Sequence, residues 1–203
     1  MTILKTDTVS GIGTEGTGFE GNITFDSLNY MTLPKGTTTQ SNRGRAVYMV
    51  GYANPSEVDD IDYLNIQSMG NTVSFGNLTT TKYSMGSGAS STRGIFCGGY
   101  KGAASPDTDI NSIEYITIAT TGNAADFGDT TAVRGQAGGV SNSIRGVFTG
   151  GYQPSPTSSD TNIIDFIDIA TTGNAKDFGD INRAANDSNR EHGTCSDSHG
   201  GIA

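Results

Sequence analysis

Three times along the chain, six residues run apolar, polar, apolar, apolar, polar, apolar: IDYLNI at 61–66, IEYITI at 113–118 and IDFIDI at 164–169. Alternation of this kind marks a strand with one face in a core. The apolar doublet in the middle shifts the phase, as a bulge or a strand buried on both faces would. A Phe-Gly pair follows each copy, at Phe75-Gly76, Phe127-Gly128 and Phe178-Gly179, so that successive pairs stand 52 and 51 residues apart. Upstream of each copy lies a second apolar run, RGRAVYMVGY at 43–52, RGIFCGGY at 93–100 and RGVFTGGY at 145–152. These runs predict strands that end in glycine, at Gly98-Gly99 and Gly150-Gly151, where a neighbouring backbone comes close or φ turns positive.

Between the second strand and the Phe-Gly pair stands the phrase IATTGNA, identical at 118–124 and 169–175, with DFGD one residue later each time; the first copy reads IQSMGNTVSFGN. Thr-Gly-Asn reads as a tight turn. If the same letters occupy the same places in successive small sheets, then Phe75, Phe127 and Phe178 are equivalent core positions. The Phe-Gly segment and the stretch after it, TAVRGQAGGV at 131–140, supply two further short strands. The expected fold class is therefore all-β: three antiparallel repeats of about four strands each, the size of a propeller blade. The repeats span residues 41–193, in copies of about 41–90, 91–142 and 143–193, between a leader at 1–40 and a tail at 194–203. Propellers close with about four to eight blades, so three repeats predict a homo-oligomer, a dimer or trimer, that completes a ring or wraps a fibre axis and so hides sheet edges.

Composition supports a turn-dense protein with few long helices, since 29 of 203 residues are glycine and only 16% are charged. Twelve Lys and Arg against 21 Asp and Glu leave a net charge of −9 with no basic stripe, which argues against a nucleic-acid partner. No run approaches membrane-spanning length and the start lacks a signal-peptide core, so neither membrane insertion nor export is expected. The cysteines, Cys97 and Cys195, are too few for a disulfide framework or a cysteine zinc site. This fits synthesis in a reducing cytoplasm.

Several motifs invite chemistry and lack its context. GIGTEG at 11–16 has dinucleotide-fingerprint spacing, but the glycine-broken segment after it is not a helix start. DFG occurs without the other kinase elements. His192 and His199 lie in a polar stretch with nothing to orient them as a triad requires, and Cys97 reads as a small core residue. Asp62 with Asp165, or Tyr52, Tyr100 and Tyr152, would be the candidates for a sugar-processing site. Their repeat-equivalent positions point to structure, so no residue is assigned a catalytic role, and no cofactor or metal is expected. The remaining candidates are the loops after each Gly-Tyr, ANPSEVDD at 53–60, KGAASPDTDINS at 101–112 and QPSPTSSDTN at 153–162, which vary while the framework holds. They make Tyr52, Asp59, Asp60, Tyr100, Asp107, Asp109, Tyr152 and Asp160 the candidate binding residues. The acids are also candidates to collect calcium through oxygen ligands, although their spacing matches no known calcium loop.

An apolar strand ending in Gly-Gly, then an aromatic strand, a bulky aromatic and a basic residue resembles the kelch repeat. The matching positions are Gly98-Gly99, Tyr115, Phe127 and Arg134 in one copy, and Gly150-Gly151, Phe166, Phe178 and Arg183 in the next. Phe takes the usual Trp place, and the first copy has Lys82 at the basic one. The combination of RGVF, GGY and IATTGNA with DFGD is similar to repeats of virion appendage and tail-fibre-like proteins of marine phages, cyanophages in particular. The stretch 6–40 looks like the leader of such proteins. The resemblance implies a non-enzymatic virion protein, made in the host cytoplasm. The leader would dock on other virion proteins, and the repeats would face a host surface glycan or protein. A capsid decoration protein, or a carbohydrate-binding or carbohydrate-processing propeller, is the alternative expectation.

Overall fold

The computed structural model of the chain describes residues 44–49, 51–53, 56–66, 68–101, 108–153, 158–184, 187 and 189–196. All belong to the unit Thr37–Ala203. The expected leader, residues 1–40, lies outside the described residues, as do Asp107, His199 and the tail beyond Ser196.

No described residue is helical. The β-branched and aromatic runs between the glycines become strands, because such side chains pack well on a pleated surface. In chain order they are β1 (Arg45–Met49), β2 (Tyr52–Ala53), β3 (Ser56–Glu57), β4 (Asp60–Asn65), β5 (Val73–Asn77) and β6 (Gly86–Ala89). There follow β7 (Arg93–Cys97), β8 (Tyr100–Lys101), β9 (Thr108–Asp109), β10 (Ser112–Thr117), β11 (Ala125–Asp129) and β12 (Gly138–Ser141). The last are β13 (Arg145–Thr149), β14 (Tyr152–Gln153), β15 (Ser159–Asp160), β16 (Ile163–Asp168) and β17 (Lys176–Asp180). They form three main antiparallel sheets, ordered β1-β4-β5, β6-β7-β10-β11 and β12-β13-β16-β17, and three two-stranded ribbons, β2-β3, β8-β9 and β14-β15. Each sheet is open, with two different edge strands, and no barrel or ring closes among the described residues.

Register recurs from sheet to sheet. Met49 faces Ile61, Cys97 faces Ile113 and Thr149 faces Ile164 across the central pair of strands. The pairing of the central strand with the Phe-Gly strand slips once, between Ile61 and Asp62, Ile113 and Glu114, and Ile164 and Asp165. The bulge therefore falls at the Phe-Gly pair, where Phe75, Phe127 or Phe178 is the unopposed residue, and not at the apolar doublet. The doublet has the other expected cause: β10 is buried on both faces. Ile113, with Tyr115 against it, enters a core with Ile95, Cys97, Phe127, Phe148, Ile167, Ile169 and Ala175. Ile116 enters another with Ile61, Phe75, Leu78, Phe96 and Ala124. One core thus lies between each pair of neighbouring sheets.

The segment after Phe-Gly supplies its strand to the following sheet and not to its own. β12, from GGVS, pairs with β13, and β6 pairs with β7 in the same way. The two are further joined at Ser141, whose Oγ accepts from the Ala89 amide at 2.9 Å and donates to the Ala89 carbonyl at 2.7 Å.

Candidate functional site

The repeated phrase IATTGNA is a joint between sheets. After β10 the backbone turns so that the Gly122 amide donates to the Phe75 carbonyl and the Ala124 amide to the Asn77 carbonyl, both at 2.8 Å. Asn123 Oδ1 closes the joint by accepting the Asn77 amide at 3.1 Å. The second copy repeats this one sheet further on: Gly173 to Phe127 and Ala175 to Asp129, both at 2.7 Å, and Asp129 to Asn174 Oδ1 at 3.1 Å. The edges of the first two Phe-Gly strands, otherwise unpaired backbone, are thereby covered by the next turn. Glycine is required at Gly76 and Gly128 on two counts. Their φ values are 157° and 146°, and a Cβ would enter the backbone of Gly122 or Gly173.

An arginine stiffens each joint. Arg45 lies 4.8 Å over the Tyr63 ring and donates to the Ile118 carbonyl at 2.8 Å. Arg93 lies 4.6 Å over Tyr115 and donates to the carbonyls of Ile169 at 2.9 Å and Ala170 at 3.0 Å. Each aromatic also meets the phenylalanine of its own sheet edge-on: Tyr63 with Phe75, Tyr115 with Phe127 and Phe166 with Phe178, at centroid separations of 5.8, 5.9 and 5.9 Å. The phenylalanines are equivalent in register and ring partner but not in burial. Phe75 and Phe127 are 3% exposed, whereas Phe178 is 55% exposed. The expectation of a core Phe178 is corrected here, because among the described residues no further turn covers its strand.

Two ion pairs, both fully buried, tie neighbouring sheets. Lys82 Nζ stands 2.8 Å from Glu114, and Arg134 Nη2 stands 3.0 Å from Asp165. Each acid also accepts from the segment that carries its cation, Glu114 from the Thr79 amide at 2.8 Å and Asp165 from the Thr131 hydroxyl at 2.6 Å. Arg183, the expected third basic position, is instead an exposed partner of Asp187. Asn189 takes the buried place: its carbonyl accepts from Gly151 at 2.8 Å, as that of Arg134 accepts from Gly99 at 3.0 Å. Here Gly98-Gly99 and Gly150-Gly151 show their use, with φ of 65°, 112°, 61° and 109°: Gly98 and Gly150 lie against the carbonyls of Arg134 and Asn189, and Gly99 and Gly151 against those of Tyr83 and Gly135.

Cys97 lies in this layer, and burial pushes its thiol up from 9.0 to about 12; Arg134 and Lys82 pull it down and Asp165 adds to the rise. Folded protein at pH 9 is therefore expected to take up iodoacetamide at exposed Cys195 and leave Cys97 unmodified, as peptide mass mapping would show. Rapid labelling of Cys97 would contradict its burial. Because the folded value lies above the unfolded one, the contribution of this thiol to stability is full below about pH 9 and is lost as pH rises through about 12.

The loop candidates are spread over the ribbons and are not gathered into one site. Tyr52 packs on Tyr83, and Tyr83 on Tyr100, in tilted ring contacts with centroids 5.7 and 5.6 Å apart. Tyr100 is buried over Gly135 with its hydroxyl on Gln136 at 3.2 Å, and Tyr152 lies 4.7 Å under Arg190. Asp59 and Asp60 both accept from Asn77, at 3.1 and 3.4 Å, and Asp160 pairs with Arg190 at 3.3 Å. Asp109 pairs with Tyr100 along the β8-β9 ribbon. Among the described residues no three His, Cys, Asp or Glu converge as metal ligands.

Asp62 and Asp165 are not brought together. Asp62 accepts from Thr72 at 3.0 Å while Asp165 is committed to Arg134. His192 departs from the solvated position expected of it: Nε2 meets Thr149 Oγ1 at 2.7 Å and the ring packs over Gly138. A groove of about 120 Å³ beside Phe127, Phe166, Thr172 and Lys176 is well below the ~300–1,000 Å³ of ligand pockets. The backbone joints and the ion pairs beneath them were not foreseen from the sequence. The TTGN-to-DFG spacing was the signal for the joints, and the recurring basic position at Lys82 and Arg134 was the signal for the ion pairs.

No helix among the described residues is long and apolar enough to cross a membrane. No protein-family model matches the chain, and no curated protein matches it at a significant level.

Proposed function

We propose that this chain is a non-enzymatic structural protein of a phage virion, a tail-fibre-like or other surface appendage, and that its three sheets act as kelch-like blades which present loops for host attachment. The observation that carries the reading is the contrast between framework and rim. The central strands keep one register in all three sheets, while the ribbons that leave them after Met49, Cys97 and Thr149 differ in length and letters. A scaffold of this kind holds recognition loops without spending chemistry on its own. Of the residues a sugar-processing site would use, Asp165 is held in a buried ion pair, Asp62 accepts from Thr72, Tyr52 and Tyr100 pack on Tyr83, and Tyr152 lies under Arg190. The likeness of the repeat phrases to marine-phage appendage proteins supplies the virion setting. In it, the leader 1–40 docks on other virion proteins, further copies of the chain complete the ring or fibre, and weak contacts to a host glycan or protein are multiplied by copy number.

Antibody raised against the full chain, used as a gold label in electron microscopy of purified particles, is expected to mark an appendage. The purified chain is expected to slow particle adsorption to host cells. Unlabelled particles, together with unchanged adsorption, would refute the reading.

A further inference from the structure

Resting on the reading that further copies complete the assembly, we infer that the third sheet of one chain seats the first sheet of a second copy through the same joint that links the sheets within a chain. The contact is head-to-tail. Its backbone and aromatic parts are already formed at the two ends, without their counterparts among the described residues.

At the tail end, β17 carries the receiving half. Its pairing with β16 slips at the same place as in the other sheets, and Phe178 meets Phe166 edge-on as Phe127 meets Tyr115. Gly179 has φ 141°, close to the 146° of Gly128, yet a Cβ on Gly179 would meet nothing within 4 Å, where one on Gly128 would run into Gly173. Phe178 is 55% exposed for want of that cover. Arg145 lies 5.0 Å over Phe166, the posture of Arg45 and Arg93, but among the described residues it has a loose contact with Asp168 at 3.8 Å in place of a carbonyl in the next sheet.

At the head end, the turn after β4 carries the inserting half. The Ile66 amide bonds back to Gly44, and the Ser68 amide to Asn65, as Ile118 does to Thr92 and Thr120 to Thr117 in the second sheet. Gly70 has φ 151°, within the 146–157° found at the other joint glycines, and a Cβ on it would meet nothing within 4 Å, as at its equivalents Gly122 and Gly173. Asn71 and Thr72 take the places of Asn123 and Ala124. Transferring the internal geometry puts the Gly70 amide of one copy on the Phe178 carbonyl of another. It puts the Thr72 amide on the Asp180 carbonyl, the Asp180 amide on Asn71 Oδ1, and Arg145 on the Ile66 carbonyl.

Two unlike, complementary surfaces on one chain make a heterologous contact, which closes into a ring or runs on as a filament. Two chains bring six sheets, within the range of about four to eight that close. Asn189 stands where Lys82 and Arg134 stand in the internal joints, so the acid at this contact, Asp62, meets an amide and not a cation. This makes it the weaker joint, and the reversible one.

Sedimentation equilibrium of the full chain in a Cys195→Ser background tests the contact, with Phe178→Glu blocking the tail and Asn71→Glu blocking the head. Both side chains are exposed in the single chain, so the circular dichroism spectrum, and the Tm at concentrations where the parent is monomeric, should be unchanged. The parent is expected to form dimers. Each blocked variant alone should stay monomeric, with Kd raised by at least about tenfold, which corresponds to the loss of about one net hydrogen bond at the lower limit. An equimolar mixture of the two should recover one-to-one pairs, because each keeps the end the other lacks. Arg145→Ala should weaken association with Tm unchanged, whereas Arg93→Ala, in an internal joint, should lower Tm.

If the parent dimerises and both blocked variants dimerise equally well, this joint is overturned while assembly from several copies stands. If the parent is monomeric while folded, both fall. Protection of the Gly70 and Asp180 amides from hydrogen exchange in that monomer would show that the chain covers its own ends. Dimers of a single blocked variant that are lost only in the other would overturn the head-to-tail arrangement.

Discussion

Replacing Asp165 with alanine is expected to destabilise the chain by about 3–5 kcal/mol, the cost typical of leaving a buried charge unpaired. Arg134 is 1% exposed, and its Nε and Nη1 make no hydrogen bond among the described residues. Beyond Asp165, its Nη2 has only the Phe148 carbonyl at 3.3 Å. The variant would strand the guanidinium between the second and third sheets and also release Thr131, held through both its amide and its hydroxyl. Asp165→Asn keeps acceptor oxygen for Thr131 and should cost less. Arg134→Met combined with Asp165→Leu should recover much of the loss, since apolar replacement of a whole buried pair is often neutral or better. Arg183→Ala, at a pair more than half exposed on both sides, should change stability by less than about 1 kcal/mol. Urea unfolding of the four variants checks the order. An Asp165→Ala loss no larger than that of Arg183→Ala would show that the buried pair does not hold the sheets together.

Gly128→Val is expected to cost about as much, by another route. Valine at φ 146° carries backbone strain of about 1–3 kcal/mol. Its Cβ would also press on backbone atoms of Gly173 and Asn174, the latter nitrogen 2.9 Å away, which cannot yield without opening the joint. Both 2.7 Å bonds from Gly173 and Ala175 would go with it. Gly179→Val supplies the comparison, since φ there is 141° but the space is empty. In monomeric protein it should show the strain alone. The difference in denaturant midpoint between the two variants therefore measures the joint, and equal losses would mean that the close approach at Gly128 contributes nothing. In assembled protein, Gly179→Val should behave like Gly128→Val.

Much of the local structure was legible because it is written in short-range periods. Alternation in IEYITI and RGVF specified strands, Thr-Gly-Asn specified a turn, and the spacing of the Phe-Gly pairs specified that the same local conformation recurs. The physical cause is that side-chain direction along a strand has period two, whatever lies beyond it. The structure accordingly places β4, β10 and β16 where the pattern put them. The hairpin acids were legible as varied surface positions but not as a site. Their partners, Asn77 for Asp59 and Arg190 for Asp160, come from distant parts of the chain.

By itself, then, the sequence determined the all-β character of the chain and the strand and turn positions, and it matched the strand residues of one sheet to those of the next, though not Asn189 to Lys82 and Arg134. Only the tertiary structure decided what equivalent residues do. It gave β6 and β12 to the sheets that follow them, set Lys82 against Glu114 and Arg134 against Asp165, and made IATTGNA a joint. It also exposed Phe178 while burying its counterpart Phe127. The reason is that period and propensity fix which way a residue points, whereas burial and pairing depend on the neighbouring sheet, and among the described residues the third sheet has no successor to cover its outer strand.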